Sequence, residues 1–257
     1  MGKRARQFLL VFALTGMLVA DSLAITTAPV EVICPICGTK NSFFDYMSWG
    51  SYVYHYKSKY QLVFFPYTWG VSFYICNHCH LATYMWDFKN FPKDKTDEVR
   101  KALAGVSVST DSKDYMKIPV WEKMSIAEKV YEVLGKDDAF WEQFYRVYGY
   151  HLENAGKAVE AAQARTKALA LVQKAIDAAD SAGHRKELLV RAATLRHFLN
   201  EDAVALQNFE EASSLKFSDD KLGEEKSKNY DSYLTELIGD YIKGIKAGTI
   251  PKDYTSE

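Results

Sequence analysis

The sequence predicts an α+β chain in which a small antiparallel β unit comes first and an all-α array follows. Three observations lead there: two Cys-x-x-Cys pairs bracketing a stretch rich in β-forming aromatics, a second half rich in Ala, Leu, Glu and Lys, and a recurrence of small residues within that half. With 48% hydrophobic and 25% charged residues over 257 positions, the composition is that of an ordinary folded chain.

Residues 1–24 read as an export signal. Lys3, Arg4 and Arg6 form a basic start, residues 8–20 are an uncharged apolar run, and Ser22-Leu23-Ala24 sets small residues at alternate positions, so cleavage is expected after Ala24. A retained anchor is the competing reading, but that run falls short of the roughly 20 residues a spanning helix needs. The mature chain is therefore expected to be secreted or periplasmic, with no stable membrane span. Losing Lys3, Arg4, Arg6 and Asp21 takes the formal charge from −1 to −3, with 29 basic residues against 32 acidic ones. That balance favours neither nucleic acid nor an anionic membrane as partner.

Residues 30–92 form the expected β unit. Between the cysteine pairs, residues 38–75 carry 14 of the chain's 36 aromatics. Tyr52-Val53-Tyr54, Leu62-Val63-Phe64-Phe65 and Val71-Ser72-Phe73-Tyr74-Ile75 read as three antiparallel strands separated by Gly50, a Lys-Ser-Lys segment and residues 66–70.

Cys34-Pro-Ile-Cys37-Gly and Cys76-Asn-His-Cys79-His are two knuckles. Each sets two thiolates on one tight turn, so that a pair closes half of a tetrahedral zinc shell and Cys34, Cys37, Cys76 and Cys79 together supply a structural Zn2+ site. Gly38 lets the first turn reverse with positive φ and leaves backbone N–H groups free to face the sulfurs. The 38 residues between the knuckles exceed the roughly 15–20 of compact zinc sites, a distance that three strands could bridge. His78 and His80 flank Cys79 and could substitute for a cysteine ligand. The even cysteine count and the export signal also admit disulfides, and Cys-Pro-Ile-Cys resembles a thioredoxin-type motif. A redox cysteine needs a helix N-terminus to lower its pKa, however, and residues 38–42 open a helix poorly.

Residues 93–118 read as a connector with one short helix, residues 96–104. The array of residues 119–247 then opens with Ser125 and Glu128 as a capping box and Gly135 as a stop. An internal repeat at an offset of 44 lays Tyr145 on Leu189, Tyr148 on Ala192, Gly149 on Ala193, Gly156 on Asn200, Ala161 on Ala205 and Ala168 on Ala212. Small residues recur where two helices of a hairpin must approach closely, as in the tetratricopeptide pattern. That unit normally spans about 34 residues, so the additional ones are expected to lengthen the second helix of the first hairpin or the loop near Ala179 to Gly183. Residues 220–246 would cap the array, with Tyr230, Tyr233, Leu234, Leu237, Ile238 and Tyr241 as a core stripe at helical spacing.

No HExxH, GxSxG or GxGxxG occurs, and no active site is expected. His55, His151, His184 and His197 are scattered along the chain.

Taken together, the knuckles and the repeats resemble the bacterial domain-of-unknown-function family 2225 over most of residues 32–215. Cys34, Pro35, Cys37 and Gly38 match its first knuckle, and Pro66-Tyr67 through Ile75-Cys76, Cys79, Ala82 and Phe88 resemble its second. Asn77 stands where that family usually has proline, and His80-Leu81 where it has Gly-Tyr. The resemblance implies zinc binding and protein interaction. The expected function is that of an exported, zinc-binding, non-catalytic scaffold whose helical repeats receive a protein or peptide. The alternative is an exported thiol-disulfide oxidoreductase using the Cys-x-x-Cys pairs.

Overall fold

The computed structural model describes residues 26–48, 67–110 and 113–250. The export signal expected at residues 1–24 and the strands expected at residues 52–54 and 62–65 lie outside these. The fold is α+β, with two small antiparallel strand pairs followed by eight helices among the described residues.

Strand β1 (Thr26–Ile33) pairs with β2 (Lys40–Ser48) from Ile33↔Lys40 outward, and β3 (Phe73–Ile75) pairs with β4 (Ala82–Tyr84) from Ile75↔Ala82. Each hairpin has a cysteine knuckle as its turn. Strands β2 and β3 lie between the knuckles, and β3 falls in the expected strand at residues 71–75; β1, before the first knuckle, and β2, directly after it, were not expected. Of the expected strand at residues 71–75 only β3 is extended, because Gly70–Ser72 winds into a 3-10 turn closed by Ser72 N–H on the Trp69 carbonyl.

The β unit is held by aromatic packing and tyrosine hydroxyls. Phe43 stacks on Tyr74 at 4.0 Å between centroids and meets Phe88 and Tyr115 edge-on. Tyr74 Oη donates to the Phe44 carbonyl and Phe44 N–H donates to Tyr115 Oη, fastening β2 to β3 and to the connector.

Helix α1 (Met85–Lys89) continues from β4, and α2 (Thr96–Ala102) matches the short helix expected in the connector, ending at Leu103 ahead of Gly105, whose φ is 78°. Helix α3 (Val120–Leu134) starts five residues before the expected capping box. Pro119 stands at its N-cap, and Ser125 lies inside the helix with its hydroxyl on the Glu122 carbonyl. Gly135 ends it in the left-handed region, φ 65°.

Helices α4 (Asp138–Asn154) and α5 (Ala158–Asp177) form one hairpin, α6 (Ala182–Phe198) and α7 (Asp202–Ser213) the next. The 44-residue offset reproduces their local chemistry. Asp137 and Ser181 cap α4 and α6 by accepting from the N–H three residues on. Gly156 and Asn200 close those helices with φ 71° and 65°, and Lys157 N–H and Glu201 N–H donate back to Leu152 and Arg196. Ala161, Ala205, Ala168 and Ala212 are all fully buried at the helix contacts. A Cβ on Gly149 would meet Arg165 Cγ at 3.1 Å, which is why α4 carries glycine there. The additional residues of the first unit lengthen its second helix: α5 has 20 residues and α7 has 12.

Helix α8 (Glu224–Ala247) closes the array by burying Leu234, Leu237, Ile238 and Tyr241 against α6 and α7, with Tyr230 and Tyr233 at the margin. Ion pairs tie the helices inside: Arg146 faces Glu142 within α4, Arg165 of α5 lies 2.6 Å from Glu153 of α4, and Arg191 of α6 reaches Glu142 at 3.4 Å to join the two hairpins. Burial pushes the Glu142 carboxyl up, but Arg146 and Arg191 outweigh it and hold the group below its usual range.

One apolar cluster runs from the knuckles through Phe43, Tyr74, Tyr84 and Phe88 into Tyr115, Val130, Tyr131 and Phe144. Tyr131 Oη fastens the seam, accepting from Tyr84 N–H at 2.9 Å and donating to Asp87 at 2.7 Å. No helix among the described residues is long and apolar enough to cross a membrane.

Candidate metal centre

The two knuckles fold identically because the same hydrogen bonds close them. Cys34 N–H donates to the Thr39 carbonyl and Gly38 N–H to the Cys34 carbonyl; Cys76 N–H donates to Leu81 and His80 N–H to Cys76, all at 2.9–3.1 Å. The fifth residue of each turn has positive φ, 75° at Gly38 and 58° at His80. Glycine tolerates this freely; His80 is anchored there by its ring, whose Nδ1 lies 3.0 Å from the Val106 carbonyl.

The four sulfurs converge, all within 4.8 Å of one another. Cys34 Sγ lies 3.5 Å from Cys79 Sγ, and Cys37 Sγ lies 3.6 Å from Cys76 Sγ. A disulfide needs about 2.05 Å, and all four thiols are free. A tetrahedral ion with Zn–S bonds of about 2.3 Å puts its sulfurs about 3.8 Å apart, so this donor set fits a four-thiolate metal shell.

Cys34, Cys76 and Cys79 shift one another's titration. Cys34 is pushed up to about 12, chiefly by its hydrogen bond with Cys76. Cys76 is driven far below the thiol range by hydrogen bonds from Cys34 and Cys79, and Cys79 is driven far above it by those same two neighbours. Sulfurs this close cannot all ionise unless a cation lies among them, and coordination deprotonates a thiol outright. Backbone N–H groups of Ile36 and Cys37 favour the Cys34 thiolate, and those of His78 and Cys79 favour the Cys76 thiolate, the arrangement expected of a metal knuckle.

Three further residues support the sulfurs. Asn41, 3% exposed at the start of β2, donates from Nδ2 to the Thr39 carbonyl at 2.9 Å and to Cys76 Sγ at 3.6 Å, and its Oδ1 accepts from Asn77 N–H at 3.0 Å. One amide thus ties the two knuckles together. Thr39 Oγ1 lies 3.3 Å from Cys37 Sγ. Arg100 on α2 donates to the Ile36 carbonyl at 3.0 Å, covering the first turn. Sequence reasoning missed all three; an asparagine four residues past a knuckle was the one available signal.

Comparison with protein-family models, curated proteins and solved structures gave no match.

All four sequence-predicted ligands meet at this centre. His78 is exposed and His80 turns to Val106, so neither joins the sulfur cluster. His151 is buried with Nε2 3.3 Å from the Tyr67 carbonyl, His197 is buried with Nδ1 2.8 Å from Asp202, and His184 is exposed. His55 lies outside the described residues.

Burial is uneven. Cys34 and Cys76 are 2% and 0% exposed, whereas Cys37 and Cys79 are partly open and line a cleft of about 380 Å3 with Ile36, His78, His80, Arg100, Leu103 and Val106.

Proposed function

We propose that the protein is an exported zinc-binding scaffold without catalytic activity. Zn2+ held by Cys34, Cys37, Cys76 and Cys79 orders the β unit, and the tetratricopeptide-like hairpins α4–α7 receive a protein or peptide partner. The observation that carries this reading is the convergence of four sulfurs at metal-shell spacing, with Asn41 joining the two turns. A β unit of this size has a modest core, and structural zinc contributes on the order of 10 kcal/mol to folding. The ion's part is to lock the fold, and each residue around it holds a sulfur or a turn.

The competing oxidoreductase reading lacks a helix at either cysteine pair: Cys34 and Cys76 each follow a strand and enter a turn. Elemental analysis of the purified mature chain tests the proposal. One zinc per chain with four thiols titratable after denaturation in chelator is expected, whereas two disulfides without metal would reject it. An insulin-reduction assay is expected to show no turnover.

A further inference from the structure

The four sulfurs are not equivalent, and their inequality follows a pattern. Each knuckle contributes one buried sulfur, Cys34 or Cys76, and one partly open sulfur, Cys37 or Cys79. Two sulfur–sulfur contacts, of 3.5 and 3.6 Å, run between knuckles and join an open sulfur to the buried sulfur of the opposite turn: Cys79 to Cys34 and Cys37 to Cys76. Both open sulfurs line one cleft together with the apolar Ile36, Leu103 and Val106 and the polar His78, His80 and Arg100, and its volume of about 380 Å3 is enough for a small solute.

From this geometry we infer that Cys37 and Cys79 are oxidant-modification sites and that oxidation replaces the metal by cross-knuckle disulfides, Cys37–Cys76 and Cys34–Cys79. The inference builds on the metal-site reading above. The oxidant is hydrogen peroxide. The Cys37 thiolate attacks one peroxide oxygen; an S–O bond forms, the O–O bond breaks, and the leaving hydroxide takes a proton to become water. The Cys76 thiolate, already in contact, then attacks the Cys37 sulfur; the S–S bond forms, the S–O bond breaks, and the hydroxide departs as a second water. Two thiolates lose two electrons and one peroxide gains them. The same sequence on Cys79 and Cys34 completes the exchange. Because each new bond spans the two turns, the hairpins stay joined after the sulfurs cease to be ligands, whereas bonds within each Cys-x-x-Cys pair would leave them untethered.

The test is peroxide titration of the purified, metal-loaded chain, read by a chromogenic zinc indicator and by non-reducing tryptic mass mapping. Cleavage after Lys40 and Lys59 separates the two knuckles, so a cross-knuckle disulfide links two peptides and an in-turn disulfide links none. Zinc release in step with linked peptides is expected, with iodoacetamide labelling Cys37 and Cys79 ahead of Cys34 and Cys76 in the loaded protein. The double variant Cys37→Ser/Cys76→Ser is expected to retain the Cys34–Cys79 bond on oxidation. Zinc release with only in-turn disulfides, or thiols that resist peroxide altogether, overturns the inference and leaves the zinc assignment standing. A chain isolated without metal that still forms the cross-knuckle bonds removes the zinc assignment and supports the pairing.

Discussion

Gly38 and His80 occupy the same place in two turns with identical hydrogen bonding, one free to adopt its positive φ and the other held there by a bond from its ring to Val106. A left-handed conformation costs a residue with a Cβ about 1 kcal/mol. His80→Gly and His80→Ala both lose the Val106 contact, but only alanine keeps the backbone cost, so the glycine variant is expected to be the more stable by about 1 kcal/mol. A Cβ on Gly38 would touch nothing within 4 Å, so Gly38→Ala should cost a similar amount from the backbone alone. Chemical denaturation of the three variants at fixed zinc checks both statements.

Asn41 is expected to set metal affinity without being a ligand. Asn41→Leu removes the contact to Cys76 Sγ and leaves Asn77 N–H without its acceptor. Loss of such a supporting residue typically weakens metal binding roughly 10–100-fold. Competition with a chelating dye reads the change, and an unaltered affinity would show that the asparagine is there for packing.

Burial holds the His151 imidazole down to about 4. The unfolded chain takes up this proton near pH 6.5, so between pH 6.5 and 4 it binds more protons than the folded one. Folding stability should therefore fall across that window, by roughly 3 kcal/mol from this residue, and level off below it. His151→Gln is expected to flatten the profile, and the difference between the two proteins cancels the contribution of the sulfurs.

Lys123 is 1% exposed, with Nζ 4.7 Å from the Tyr115 ring centroid and, among the described residues, long contacts of 3.3 and 3.4 Å to the Phe73 and Gly70 carbonyls. Burial pushes its ammonium down to about 7. The unfolded lysine protonates near 10.4, so stability contributed by the neutral amine is present at high pH and is lost as pH falls from there to 7. Lys123→Met should remove this slope and raise stability at pH 7 by roughly 2 kcal/mol or more. Paired melts at pH 7 and pH 9.5 measure it.

Gly183 lies where α6 passes the chain at Ser218; a Cβ there would sit 2.5 Å from the Ser218 nitrogen and 2.6 Å from its carbonyl oxygen. Backbone cannot yield as a flexible side chain can, so Gly183→Ala is expected to destabilise by about 2–3 kcal/mol. A thermal melt unchanged from the parent would contradict the contact.

The four-cysteine cluster and the helical hairpins were legible for the same reason: both are written in short-range spacing. Two residues between cysteines fix a turn, and the 44-residue offset carries caps, left-handed closures and buried alanines together. Asp137 with Ser181 extends that offset to the helix starts, a pair that the alignment of residues 145–149 did not include. The strand pairs were harder. Strand β1 carries Pro29, has only Ala28, Val30 and Val32 on its partly covered face and leaves Ile33 exposed, and the aromatic density after Gly50 drew the prediction away from it. At α3, Ser125 and Glu128 imitate a helix start inside a helix, and Pro119 was the true signal. Asn41 offered only its place four residues past the first knuckle, because two of its three partners lie 35 and 36 positions away.

The apolar seam fastened by Tyr131 bears on how the molecule would respond to cutting. Nicking the backbone between Gly105 and Thr110 would sever the only covalent path from the cysteine hairpins to the long helices, yet Tyr84, Asp87 and Tyr131 would still be packed and bonded across the break. The two fragments would co-elute on a sizing column and part only in denaturant, so neither half can be treated as a module to be moved into another protein.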